Sequence, residues 1–121
     1  MKIVVADDIK AMRMIVVRTL RQAGFGGHKV IEAENGREAL ELVGQHAPGL
    51  ILSDWNMPQM TGIELLTTLR LRGDETPFCF VTSESSEQTR EQAAAADALG
   101  LIAKPFTAEA FLDTLSPVVT S

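Results

Sequence analysis

Short apolar runs alternate five times with longer helix-patterned segments, and this alternation constrains the fold of the chain more than any other feature. The runs lie near 2–6, 29–33, 50–53, 78–81 and 101–103. Runs of this length, several without any polar interruption, read as strands buried on both faces. The helical patterns lie near 10–23, 36–45, 62–72, 87–98 and 108–115. Asn35 with Glu38, Thr61 with Glu64 and Ser85 with Gln88 have the capping-box spacing of helix starts. Gly24, Gly73 and Gly100 follow expected helix ends, where a left-handed residue closes the helix.

Five strand–helix units predict an α/β domain: a five-stranded parallel sheet covered by helices on both faces. For five strands the order 2-1-3-4-5, the flavodoxin-like (βα)5 arrangement, is the obvious candidate. No linker or low-complexity tract interrupts 1–121, so the chain reads as a single domain with no output domain. Hydrophobic residues make up 45% and charged residues 22%, as in a soluble globular protein. No apolar stretch is long enough to span a bilayer and no signal-peptide pattern opens the chain, which predicts a cytoplasmic protein without membrane insertion. The net charge of -5, without a basic block, argues against direct nucleic-acid binding. Cys79 lies in the apolar run 78–81, where a buried, inert thiol is expected, and a single cysteine can form no disulfide within the chain.

Asp54 closes the apolar run 49–53 and is followed by Trp55, Asn56, Met57 and Pro58, with Gly62 beyond. A carboxylate at the end of a buried strand needs a cation or good donors nearby. Pro58 forbids an immediate helix, and Gly62 permits unusual turn angles. Asp7 and Asp8 follow the first strand directly. Asp8 also precedes a helical pattern and could act as its N-cap. In open α/β sheets, ligands bind beyond the carboxyl ends of the strands where the strand order reverses. That rule sets Asp7 and Asp8 beside Asp54, about 4.8 Å away across one strand spacing. Strand four brings Thr82 to the same edge, and Lys104 follows strand five. Close carboxylates repel by about 1 kcal/mol in water and about 4 at an effective dielectric of 20. A hard dication such as Mg2+, which prefers carboxylate and carbonyl oxygens, removes that cost. No Cys/His cluster offers a zinc site. With a metal bound, Asp54 could attack phosphorus as a nucleophile, while Lys104 and Thr82 contact the phosphoryl oxygens.

Asp7-Asp8, Asp54-Trp55-Asn56-Met57-Pro58 with Gly62, Val81-Thr82 and Lys104-Pro105-Phe106 stand in an order and spacing that resembles the receiver domains of bacterial two-component response regulators. The resemblance spans essentially the whole chain and is nearest to the stand-alone chemotaxis (CheY-like) type. It implies phosphorylation of Asp54 by a histidine kinase or a small phosphodonor. Mg2+ would be held by Asp8, Asp54 and the backbone carbonyl of Asn56, with Asp7 acting through water. Thr82 and Lys104 would sense the phosphoryl group, and the Lys104-Pro105 bond would be cis. The fourth helix, fifth strand and fifth helix form the surface this family commonly uses. Implied partners are the kinase and a downstream protein such as a flagellar motor component, with the chain itself a monomer.

Three departures and two positional roles refine that expectation. Many chemotaxis receivers carry a switching aromatic ring three residues before the site lysine; this chain has Leu101 there, so Thr82 and Leu101 are its switch candidates without a ring, and a leucine in a strand also reads as a core or edge residue. Lys10 and Ala11 also depart from the chemotaxis pattern. Ser83 follows Thr82, where a small residue leaves room for the phosphoryl group. Asn56 and Glu84, two residues after Asp54 and Thr82, are the candidates for controlling dephosphorylation by admitting water. Trp55 is expected as a partly exposed ring beside the loop. The alanines at 93–96 favour a helix by propensity. Gly24, Gly26 and Gly27 form a turn, not a nucleotide fingerprint, because they precede a strand.

A phospho-switch in signal transduction is therefore the leading function, with a phosphate sink lacking a downstream target as its alternative. The protein is expected to be a signalling protein and not an enzyme, catalysing only its own phosphotransfer and autodephosphorylation. A phosphohydrolase acting through an aspartyl phosphate would want a second acid two residues after the nucleophile, where Asn56 stands.

Overall fold

The computed structural model describes residues 1–120; Ser121 lies outside them. Among these residues five strands and five helices alternate: β1 (Lys2–Ala6), α1 (Lys10–Gln22), β2 (Lys29–Ala33), α2 (Gly36–His46), β3 (Leu50–Ser53), α3 (Gly62–Leu71), β4 (Phe78–Thr82), α4 (Glu87–Ala95), β5 (Gly100–Ala103) and α5 (Ala108–Leu115). The strands form one parallel sheet in the order β2-β1-β3-β4-β5, as the alternation predicted.

Alternate side chains of each strand serve opposite faces. Ile3 and Val5, Leu50 and Leu52, and Cys79 and Val81 pack with Val16 and Leu20 of α1 and Phe111 and Leu115 of α5. Val4 and Ala6, Ile51, and Phe78 and Phe80 pack on the other face with Ala39 and Val43 of α2 and Leu65 and Leu69 of α3. Two apolar layers therefore clamp the central strands, which explains why β1, β3 and β4 read as unbroken apolar runs. Each large side chain so buried contributes about 1.5–3 kcal/mol, and this holds the strand ends, and whatever follows them, in register.

Helix starts follow local chemistry. Asn35 accepts from the Glu38 N–H, and Thr61 with Glu64 forms a complete capping box. Glu64's carboxyl is held below its usual range, first by the backbone N–H of Thr61 and then by its hydroxyl. α4 starts one residue later than the Ser85/Gln88 spacing suggested: Ser86 is the cap and accepts from Thr89 N–H. Gly24 and Gly73 do adopt left-handed angles (φ 96 and 79). Gly100 does not; it opens β5, and the left-handed turn after α4 falls on Asp97 (φ 66). α4 consequently stops at Ala95, three residues short of the expected end. Ala98 N–H returns to Ala93 O and Asp97 N–H to Ala94 O, while Arg70 of α3 grips the Asp97 carbonyl at 2.9 Å. That tertiary stop overrides the helix propensity of the alanine run. Of that run Ala93 is buried and Ala96 packs partly against the same core, while Ala94 and Ala95 meet solvent.

Candidate functional site

Strand register assembles the site. Ala6 pairs with Ser53 across β1 and β3, and the Asp54 N–H donates to Ala6 O at 2.9 Å. The residues that follow, Asp7 and Asp54, therefore leave the sheet side by side. On the far side Thr82 pairs with Ala103, and Lys104 N–H donates to Thr82 O at 2.9 Å, which sends the lysine back over the same rim. The Lys104-Pro105 bond is cis, as the resemblance implied.

One carboxylate oxygen from each of Asp7, Asp8 and Asp54 lies within 4.8 Å of the others. Lys104 Nζ lies 3.1 Å from Asp7 Oδ2 and 3.5 Å from Asp54 Oδ2. Three carboxylates against one ammonium leave two formal negative charges, the charge a dication cancels. The donors are all hard oxygens with no thiol or imidazole among them, a set that fits Mg2+ and not a softer ion. The acids differ in exposure: Asp7 is buried, Asp54 partly buried, and Asp8 open to solvent. Asp8 does not cap α1. Ile9 is the N-cap residue and has no side-chain cap, and the Ile9 N–H goes to Asp7 Oδ1 at 2.9 Å, which leaves Asp8 free to serve a ligand.

Asp54 Oδ1 accepts the Trp55 N–H at 2.7 Å, while Oδ2 faces Lys104. Gly62 matters here for closeness and not for turn angles. A Cβ on it would run into the Asp54 carbonyl and lie 2.9 Å from the Phe80 ring, while the left-handed turn residue of this loop is Gln59 (φ 69). Trp55 packs on Phe80 with ring centroids 4.6 Å apart, so it is a partly buried wall of the loop. Thr82 is fully buried, and its hydroxyl accepts the Glu84 N–H at 3.1 Å. Asn56 Nδ2 donates to Glu84 Oε1 at 3.3 Å, which joins the exposed loops that follow β3 and β4. Leu101 is half-buried against the α2–α3 side of the core, and its carbonyl accepts from Arg90 of α4 at 3.2 Å. Cys79 takes no part: burial pushes its thiol up to about 12, consistent with an inert core residue.

Arg13 was not among the residues singled out from the sequence. Its side chain is buried beneath the acidic cluster and donates to the Asp7 carbonyl at 2.7 Å and to Glu32 at 2.8 Å. The signal was present: Arg13 shares one helix face with Val16 and Leu20, at i+3 and i+7, and a charge on an apolar face demands a partner.

Residues 3–116 match the response regulator receiver domain family. The chain is 36% identical over 120 residues to a chemotaxis protein, CheY, of Pseudomonas aeruginosa, covering 98% of this chain and 95% of that protein. It is equally similar to CheY-3 of Vibrio cholerae, with 91% of that protein covered. Among solved structures it superposes on CheY4 of Vibrio cholerae with a TM-score of 0.84 at 36% identity, covering 98% of each chain. On a Francisella response regulator receiver domain the TM-score is 0.85 at 26% identity, covering 97% of this chain and 94% of that one.

Proposed function

The chain belongs to the response regulator receiver family, and from that premise we propose that Asp54 accepts a phosphoryl group and that its phosphorylation alters a protein-binding surface. One observation carries the proposal: a carboxylate at the end of a buried strand stands within reach of an ammonium group and beside two further acids. A phosphohistidine or acyl phosphate would bring the phosphorus to the rim. An Asp54 oxygen attacks it, the bond to the donor's nitrogen or oxygen breaks, and the leaving group departs with the electron pair. When bound, Mg2+ would be held by Asp8 and Asp54, with the Asn56 carbonyl and Asp7 completing its surroundings, and would offset charge on the transferring group. Lys104 supplies the second positive charge, already held 3.5 Å from Asp54 Oδ2. Thr82 accepts from Glu84 N–H and keeps its own proton available for a phosphoryl oxygen.

A receiver takes its phosphoryl group from a histidine kinase and passes its state to a protein target. The chemotaxis proteins to which this chain is similar favour a target in motility, such as a flagellar motor component. The chain's own chemistry is limited to phosphotransfer onto Asp54 and the hydrolysis that removes it. Incubation with Mg2+ and an acyl phosphate, read by intact mass, tests the assignment. The wild type should gain one phosphoryl adduct and Asp54→Asn none; equal labelling of both would overturn it.

A further inference from the structure

Asp7 is fastened at four points. Its N–H donates to Ala33 O at 3.1 Å, and its side-chain oxygens receive Ile9 N–H at 2.9 Å and Lys104 Nζ at 3.1 Å. Its carbonyl receives Arg13 Nη1 at 2.7 Å, in a buried contact. The carbonyl of Asp7 and the N–H of Asp8 belong to one planar peptide. Whatever fixes that carbonyl therefore fixes the direction in which Asp8 leaves the chain. Asp8 has no such anchors: it is exposed and does not cap the helix behind it.

We infer that Arg13 is a positioning residue for the acidic cluster, setting the Asp7-Asp8 peptide so that the Asp8 carboxylate faces Asp54, with Glu32 of β2 holding the guanidinium in place. Two geometric facts support this. Arg13 is spanned between the two groups, with Nε on Glu32 at 2.8 Å and Nη1 on the Asp7 carbonyl, a use of the planar fork that an ammonium cannot reproduce. The pairing with Glu32 also balances its charge, so its contribution to the cluster is one of direction and not of net charge. Partners of this kind behind metal ligands are worth about 10–100-fold in metal affinity.

The inference rests on the metal reading above, and the experiment separates the two. Mg2+ titration followed by Trp55 fluorescence, under conditions where every variant is folded, should show affinity about tenfold weaker in Arg13→Gln. Arg13→Lys should recover only part of the loss, and Glu32→Gln should show a smaller one. Val16→Ala, which opens a cavity in the same helix, serves as the control and should titrate like the parent. Parental affinity in Arg13→Gln, or an equal loss in Val16→Ala, overturns the inference. A metal-free 1H–15N spectrum gives the second readout. The Asp8 amide should move in Arg13→Gln and stay in place in Val16→Ala. If the parent itself shows no Mg2+ response, the metal reading fails and the spectrum alone decides; an unmoved Asp8 amide then overturns the role of Arg13.

Discussion

Two loops meet over Asp54, and they are held very differently. The loop from β1 to α1 carries Asp7, whose backbone and side chain are tied to Ala33, Arg13, Ile9 and Lys104. It leads into a helix that buries Val16 and Leu20, each worth about 1.5–3 kcal/mol. The loop from β4 to α4 is exposed from Ser83 to Ser86, and it leads into a helix whose buried side chains are only a threonine and an alanine, Thr89 and Ala93. Its ties are a few polar contacts: Glu84 N–H on Thr82, Asn56 on Glu84, and the exposed Arg90 on the Leu101 carbonyl. The first loop is built to keep acids still. The second is held by contacts that a new charge at Asp54 could redistribute at small cost, since each such exposed or neutral bond is worth about 0.5–1.5 kcal/mol. On the proposed function, metal holding and phosphoryl reporting would fall on opposite sides of one carboxylate.

The sharpest way to break this division is to remove an acid from the fixed side. Asp8→Ala deletes one oxygen donor of the acidic cluster while Asp54 and Lys104 remain, and Mg2+ affinity read by Trp55 fluorescence should fall by more than the ~10-fold of an outer contact. An unchanged titration would move the metal elsewhere and dissolve the contrast. A smaller effect belongs to the other loop. Glu84→Leu removes the contact with Asn56 and sets a bulky group beside the site, so the phosphorylated protein should decay severalfold more slowly in Mg2+ while its Mg2+ affinity stays near the parent's. Decay at the parental rate in both Glu84 and Asn56 variants would show that access of water does not limit hydrolysis. The smallest effect concerns α3, which starts at the far end of the loop after Asp54. Glu64 has a lowered folded pKa, so its contribution is present above its ordinary value of 4.5 and disappears as pH falls through the lower folded value. Urea midpoints of Glu64→Ala and parent should differ at pH 7 and converge in acid; a gap that persists unchanged in acid would refute the capping account.

Most of the site was legible because it depends on strand ends. Once the order 2-1-3-4-5 is inferred, Asp7, Asp8, Asp54, Thr82 and Lys104 must share one rim, and register does the rest. What escaped the sequence depends on contacts between distant segments. α4 ends at Ala95 because Asp97 turns left-handed under Arg70, and nothing local in an alanine run announces that. Gly62 is needed because Phe80 and the Asp54 carbonyl crowd it, an approach only the folded loop reveals. Gly100 was expected to close α4, but the helix is capped at Ala96 and its left-handed turn residue is Asp97. Arg13 on the apolar face of α1 signalled that it needs a partner, but only the fold identifies the partners as Glu32 and the Asp7 carbonyl.

Hydrogen exchange with and without a tetrahedral phosphoryl mimic such as beryllofluoride, with Mg2+ in both samples, tests the division between the two loops most directly. Occupation of Asp54 should change exchange across residues 83–95 and leave residues 7–22 close to their Mg2+-bound rates. Equal changes in both segments, or a change confined to 7–22, would contradict the account.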